Sequence, residues 1–329
     1  MSKKIVVSGG TGFIGSHFVE HIQKNTDWEI HVLASFRHRG DSERVAEAFD
    51  PNRTTIHFVD LNGPISKRLA IKIGRPDYIV NMASESHVDR SIADPVPFVQ
   101  NNVNTALYML EYAREVRPDK FIQCSTDEVF GPVHDHLFKE WDRHVPSNPY
   151  SASKSAQEAI AISYWRTFDL PIIITNTMNN FGEMQDSEKF IPMTIKKILK
   201  GEEVIVHADK DGVPGSRFYL HARNHADALL FILNNIAPLH YRNGFVKPER
   251  FNISGDVEVN NLEMVKLLAK ILGKPAQYVL ALNPDRPGHD LRYGLDGAKL
   301  RKAGWKPPVD FESSMKKYIE WTLAHKEWL

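Results

Sequence analysis

Residues 4–16, KIVVSGGTGFIGS, run from a short apolar segment directly into glycines at G-x-x-G-x-x-G spacing, Gly9, Gly12 and Gly15. Residues suited to a helix follow from Phe13 and Ile14. An apolar strand that ends in glycines and opens a helix has a specific physical use. The glycines permit a tight turn and let the backbone approach a pyrophosphate, which then lies on the positive end of the helix dipole. The motif alone is weak, so its weight depends on what surrounds it.

Five more apolar segments follow in the first half: EIHVLA (29–34), TIHFV (55–59), DYIVNMA (77–83), KFIQCS (120–125) and PIIITN (171–176). Helical patterns begin between them near Phe13, Ser42, Pro64, Pro95 and Ser151. Strands that are apolar throughout, separated by helices, belong to a parallel sheet covered on both faces. The expected fold is therefore α/β, a doubly wound parallel-sheet (Rossmann) dinucleotide-binding fold. After about Asn180 the chain turns to helices joined by Gly- and Pro-containing loops. The expected division is a dinucleotide-binding domain with the catalytic residues over 1–180 and a smaller mixed lobe over 181–329, with segments that interleave.

Composition narrows the classes. Among 329 residues, 41 basic side chains balance 41 acidic ones, so no overall charge favours nucleic acid or an anionic membrane. No apolar run approaches the roughly 18 residues that span a bilayer. The start, MSKKIVVSGG, lacks the apolar core of a signal peptide. The single cysteine, Cys124, excludes a disulfide framework and reads as a buried inert thiol. A soluble cytoplasmic protein without a metal is expected.

The second strand departs from the usual dinucleotide pattern. A free ribose 2′-hydroxyl is normally met by an acid about 20 residues past the glycines. No acid lies between Ile30 and Gly40; the segment carries Ser35, Arg37 and Arg39 instead. Guanidinium groups suit a phosphate, which favours NADP over NAD. Asp60 and Leu61, at the next strand end, are candidates for an adenine edge.

YSASK places Tyr150 and Lys154 four residues apart on one helix face. A tyrosine with an ordinary pKa near 10 is a poor base at neutral pH, and a nearby ammonium would lower that value. Twenty-odd residues upstream, CSTDEVFG (124–131) leaves Thr126, Asp127 and Glu128 at a strand end, a hydroxyl followed by two acids.

With these motifs the chain resembles an extended short-chain dehydrogenase/reductase, and within that superfamily the nucleotide-sugar 4,6-dehydratases. The resemblance covers essentially the whole chain. It is carried most specifically by ESHVDRS (85–91), STDEVFG, YSASK, NNFG (179–182), EKFIP (188–192) and DRPGHD (285–290). It implies oxidation at C4 of a nucleotide-diphosphate hexose of the dTDP-glucose type, loss of water across C5 and C6, and hydride return to C6 to a tightly bound NADP, with NAD as the alternative. On this likeness Tyr150 is the base at the C4 hydroxyl, with Lys154 beside it. Glu128 is the C5 base, Asp127 the acid for the departing hydroxyl, and Thr126 a donor to the C4 oxygen. Ala83, Ser84 and Asn102 would order the cofactor region. Ser86, His87, Asn180, Lys189, Arg217, Asn252, Arg286 and His289 would meet the sugar nucleotide.

Three features depart from the family: RFYLHARN (217–224), a longer loop before it, and TNTMNN (175–180) without the usual arginine. They fall near the nucleotide and leave the acid pair alone. A homodimer is expected through the two helices that carry Ala106, Leu110, Ala113 and Ala156, Ile160, Tyr164. The alternatives are a UDP-hexose 4-epimerase, which has no use for the acid pair, and a non-catalytic NAD(P)-binding protein.

Overall fold

A computed structural model describes residues 2–36, 40–46, 49–282 and 291–329. Seven parallel strands form the central sheet: β1 (Lys4–Ser8), β2 (Glu29–Ala34), β3 (Thr54–Phe58), β4 (Tyr78–Asn81), β5 (Lys120–Thr126), β6 (Ile172–Thr177) and β11 (Glu249–Ile253). Their order is β11-β6-β5-β4-β1-β2-β3. The order reverses between β1 and β4, and a doubly wound sheet opens a crevice at the strand carboxyl ends there.

Alternate side chains of each strand feed different cores. Ile5 and Val7 of β1, with Val32, Val80, Ile122 and Ile173, pack with residues of α1 (Phe13–Asn25) and α8 (Ala222–Asn235). Val6, Leu33, Ile79, Phe121 and Ile174 face the other way, toward α3 (Lys67–Ile73), α5 (Pro95–Val116) and α6 (Pro149–Phe168). Two short helices, α2 (Glu43–Ala46) and α4 (Val88–Ala93), complete the first half. A period of two with both faces apolar is what a sheet buried on both sides demands.

The second half builds a third core around α7 (Phe190–Lys200), α9 (Asn261–Leu272) and α11 (Phe311–Ala324), with Ile195, Met264, Leu268 and Met315 fully buried. Short strand pairs join it. β7 (Asn180–Phe181) pairs with β10 (Leu220–His221), β9 (Ser216–Phe218) with β12 (Glu258–Asn260), and β8 (Val204–Ala208) with β13 (Tyr278–Leu282). The helix α10 (Ala298–Lys302) lies on β11. The halves interleave: β11 from the second half extends the first half's sheet, and α8 covers the same face as α1. No helix of the described residues is long and apolar enough to cross a membrane.

Candidate active site

The glycine turn closes as its sequence requires. Gly9 has φ +72°, and a Cβ there would lie 2.8 Å from the Ala83 backbone. A Cβ on Gly15 would lie 2.1 Å from the Gly9 carbonyl oxygen, so any larger residue breaks the turn. Gly12 caps α1 without a side-chain hydrogen bond, and the first turn carries no acid. The helix thus opens with backbone amides that side chains do not satisfy, a cradle that fits a dinucleotide pyrophosphate. Ala83 N–H is fixed by the Ser8 hydroxyl at 3.2 Å, and Ser84 Oγ donates to Glu85 O at 3.1 Å. Ser35 follows β2, Asp60 is exposed two residues past β3, and Leu61 is buried. Arg37 and Arg39 lie outside the described residues, as do Arg286 and His289.

The opening acids sit where β5 ends. Thr126 caps the 3-10 turn Asp127–Phe130, accepting from Glu128 N at 3.4 Å and donating to Asp127 Oδ1 at 2.8 Å. Asp127 is buried, and its Oδ2 has no hydrogen-bond partner among the described residues. Burial raises its pKa to about 6, against the Thr126 hydrogen bond and the positive charge of Arg217. Glu128 is half-buried; burial first and the Asp127 charge second push it to about 7. Asn148 Nδ2 donates to Glu128 Oε2 at 3.4 Å. The two carboxyls therefore titrate near neutrality as a pair, as an acid and a base working together require. The environment does not hold Asp127 above Glu128, so the division into acid and base rests on the family resemblance.

Tyr150 and Lys154 share the buried face of α6, which Asn148 starts with a capping box and Pro149 in its first turn. The lowering expected of Tyr150 calls on Lys154 together with a bound nicotinamide ring; the protein's own groups act the other way, since burial, then the Glu128 charge, raises the phenol well above its usual value, opposed by a hydrogen bond with Thr126. The Lys154 ammonium is turned to Cys124 O at 2.8 Å and Gln157 Oε1 at 2.7 Å. Burial brings it down to about 8. Cys124 is a buried thiol pushed up to about 11 by burial, and so inert as expected. Asn102 is a clamp. Its Oδ1 accepts from Glu85 N at 2.8 Å, and its Nδ2 donates to Glu85 O at 3.0 Å and Ser153 Oγ at 2.9 Å. It thereby pins the loop of Ser84 and Ser86 to α6.

The remaining candidates divide. His87 caps α4 and reaches Glu188 at 3.4 Å, with Arg90 on the other Glu188 oxygen at 3.4 Å; Ser86 is exposed beside it. Lys189 lies close enough to act on both His87 and Glu128. Arg217 lies over the Tyr293 ring at 4.4 Å, donates to the carbonyls of Ser216 and Leu291, and acts on both acids. Asn180 donates to Met178 O at 2.9 Å, and its buried Oδ1 has no partner among the described residues. Asn252 does not belong to this group: it is fully buried, its amide donating to Phe138 O at 2.9 Å and Asp296 O at 3.3 Å. Through its amide nitrogen it ties two loops together.

Sequence reasoning missed a buried ion pair behind the acids, Glu158 with Arg250, and a group of His17, Glu183 and His221 that joins α1 to β10. Their partners are 92, 166 and 38 residues apart, and no local pattern marks them.

The family model for GDP-mannose 4,6 dehydratase matches residues 6–318. The low-salt glycan biosynthesis protein Agl12 of Haloferax volcanii is 36% identical, with 98% of this chain and 99% of that protein covered. The dTDP-glucose 4,6-dehydratase of Salmonella typhimurium is 35% identical, over 99% of this chain and 94% of that one. The solved dTDP-glucose 4,6-dehydratase DesIV of Streptomyces venezuelae, which carries NAD, superimposes with a TM-score of 0.86 at 31% identity, covering 99% and 98% of the two chains. A match of that extent, on the glycine turn, the acid pair and the Tyr150–Lys154 helix just described, decides the matter: the chain belongs to the GDP-mannose 4,6 dehydratase family, the nucleotide-sugar dehydratases among the NAD(P)-binding extended short-chain dehydrogenases/reductases.

Proposed function

We propose that the protein converts a nucleotide-diphosphate hexose, with dTDP-glucose the first candidate, to its 4-keto-6-deoxy product. The observation that carries this reading is the acid pair Asp127–Glu128. It is held at the carboxyl end of β5 with both pKa values near neutrality, on the turn that leads toward the helix of Tyr150. The dTDP-sugar substrate is supported by the names of the relatives above.

Bound NAD(P) supplies hydride acceptance at C4 and its later delivery to C6. Tyr150 Oη takes the proton of the C4 hydroxyl, and Thr126 Oγ1 donates to the oxygen left there. The C4 ketone acidifies C5. Glu128 removes the C5 proton, that electron pair forms the C5–C6 double bond, and the C6–O bond breaks with a proton from Asp127, releasing water. Glu128 then returns its proton to C5. Lys189 and Arg217 bring positive charge to this end of the sheet, where a diphosphate would sit.

The second strand favours NADP in sequence, but the proposed dinucleotide is NAD, which the Streptomyces relative carries; Ala34 ends β2 and Ser35 follows it without the usual acid. Mass spectrometry of cofactor released on denaturation tests this, and NADP alone would overturn it. A homodimer through α5 and α6 is part of the proposal, with a corrected surface. Ala106, Leu110 and Ala113 are buried in their own subunit, so Leu107, Tyr108, Ile160 and Tyr164, which are half-buried, are the contacts proposed. A monomer in light scattering at micromolar concentration would remove it.

The experiment for the reaction is a panel of NDP-hexoses read by the alkali-induced absorbance of a 4-keto-6-deoxy sugar. Signal with one or more substrates is expected. A 4-epimerase gives none, and neither does a non-catalytic binder.

A further inference from the structure

Three polar side chains form a row across the middle of the sheet. Ser8 of β1, Asn81 of β4 and Gln123 of β5 are register partners, and none is more than 1% exposed. Ser8 Oγ donates to Asn81 Oδ1 at 2.5 Å, Asn81 Nδ2 to Gln123 Oε1 at 2.9 Å, and Gln123 Nε2 to Gln157 Oε1 at 3.3 Å. The same Gln157 oxygen accepts from Lys154 Nζ at 2.7 Å, while Gln157 Nε2 donates to Asn102 O at 2.6 Å. At its other end Ser8 Oγ accepts from the amides of Met82 and Ala83, beside the glycine turn.

Amides in the middle of a sheet are costly unless fully satisfied, and apolar residues would pack the same volume without that risk. Here the bonds from Ser8 to Gln157 all run one way, and the Gln157 oxygen at their end also accepts from the ammonium. We infer that Gln157 is a positioning residue for Lys154: it holds the ammonium beside Cys124 O and keeps it charged, while Gln123, Asn81 and Ser8 lock the amide with its oxygen toward the lysine. What Lys154 then does rests on the dehydratase reading; where it is held does not.

The sign of the effect follows from burial. Lys154 is already lowered to about 8 because its charge is buried. The titratable groups acting on it are Cys124 from β5, pushed up to about 11, and Glu158 from α6, which is ion-paired with Arg250. The α5 side presents the Asn102 carbonyl through Gln157. Removing the Gln157 oxygen lowers Lys154 further, and a carboxylate in its place raises it.

The test compares wild-type holoenzyme with Gln157→Leu and the isosteric Gln157→Glu. Two readouts are followed against pH: the ¹³Cε resonance of Lys154 in lysine-labelled protein, and the single-turnover rise at 340 nm on adding substrate. In Gln157→Leu the lysine midpoint should fall by about one unit, from about 8 to about 7, so the rate drops about fivefold at pH 8 and by only about a tenth at pH 6. In Gln157→Glu the midpoint and the alkaline limb should move up. Unmoved midpoints, with rates reduced equally at every pH, would leave Gln157 as packing and overturn the inference. If Gln157→Leu does not fold, Gln157→Glu decides alone. If no NDP-hexose produces the 340 nm rise in wild type, the dehydratase reading fails while the resonance still decides the role of Gln157.

Discussion

Thr126 stands between two sets of carboxyl groups that the protein treats in opposite ways, bonded directly to Asp127 and joined to Glu158 through Asn176. On one side Glu158 is fully buried and fully paired. It accepts from Asn176 Nδ2 at 2.7 Å, forms an ion pair with Arg250, and lies 3.4 Å from His144 Nε2. Asn176 also donates to Thr126 O at 3.0 Å, and Arg250 packs over Trp141 at 4.3 Å. On the other side Asp127 and Glu128 share the Thr126 hydroxyl, two backbone N–H groups and one distant amide, with no cation bonded to either carboxyl among the described residues and an Asp127 oxygen that has no partner among them. A carboxylate buried for structure is neutralised by its neighbours. One buried for chemistry is left short of partners, and its raised pKa records the shortfall.

The largest effects should come from the under-paired set. Glu128→Gln and Asp127→Asn should each lower turnover by about 10²–10⁴-fold, the usual range for a general acid or base. Both should still reduce the nicotinamide on mixing with substrate, so absorbance at 340 nm rises and stays. Tyr150→Phe should give no rise at all, because the first proton has no acceptor. Carboxylate variants with near-normal dehydration would make Asp127–Glu128 a mere turn and erase the contrast with Glu158.

The paired set should instead control stability. Arg250→Met leaves Glu158 buried without its cation and should cost about 3–5 kcal/mol in urea unfolding. Adding Glu158→Leu removes the stranded charge and should recover most of that loss. A double variant no more stable than Arg250→Met would mean that the pair itself holds the fold.

The two sets also differ in what pH does to them. The folded pKa of Asp127, about 6, lies above its ordinary 3.8, so its contribution to stability is full below about pH 4 and lost as pH rises through 6. A two-unit shift corresponds to about 3 kcal/mol. Glu128, at about 7, acts in the same direction. At pH 5 about half of the Asp127 contribution remains and at pH 8 almost none, so Asp127→Asn should shrink the stability difference between pH 5 and pH 8 by about 1.4 kcal/mol, measured by urea unfolding at each pH. Glu183, held at about 2 by its two histidines, contributes with the opposite sign, but it is unchanged in the variant and cancels.

How much of this was legible depends on the distance over which each feature is determined. Six sheet strands could be read because each is an apolar run, and the glycine turn because its backbone geometry admits little else. The seventh, β11, could not: its sequence ERFNI carries Glu, Arg and Asn, and Arg250 is tolerable there because Glu158 waits on a distant helix. The same ignorance of partners hid the bonds of the Asn252 amide nitrogen to two loop carbonyls. Tyr150 and Lys154 were correctly set on one helix face, yet the direction of the ammonium is fixed by Cys124 and Gln157. Asn81 and Gln123 hid inside apolar segments. Amides at matching positions in adjacent strands were the available signal for the row they form.

The smallest effect tests the hinge between the two steps of the reaction. Asn148 stands at the start of α6, where its Oδ1 accepts from Ser151 N at 2.9 Å and its Nδ2 reaches Glu128. One half of the amide therefore sets the helix of Tyr150, and the other steadies the base. Asn148→Ala loses both and should cost about 1 kcal/mol of stability. Asn148→Ser keeps a capping oxygen, so stability should change by a few tenths of a kcal/mol at most. Without the donor, the ionised form of Glu128 is less favoured and its pKa rises, so the acid limb of the dehydration profile should move to higher pH in both variants. The rate of the first 340 nm rise should follow the helix, and fall more in Asn148→Ala than in Asn148→Ser. If the serine variant shows wild-type stability and an unmoved acid limb, the 3.4 Å contact does nothing for Glu128, and Asn148 serves the paired, structural side of the site alone.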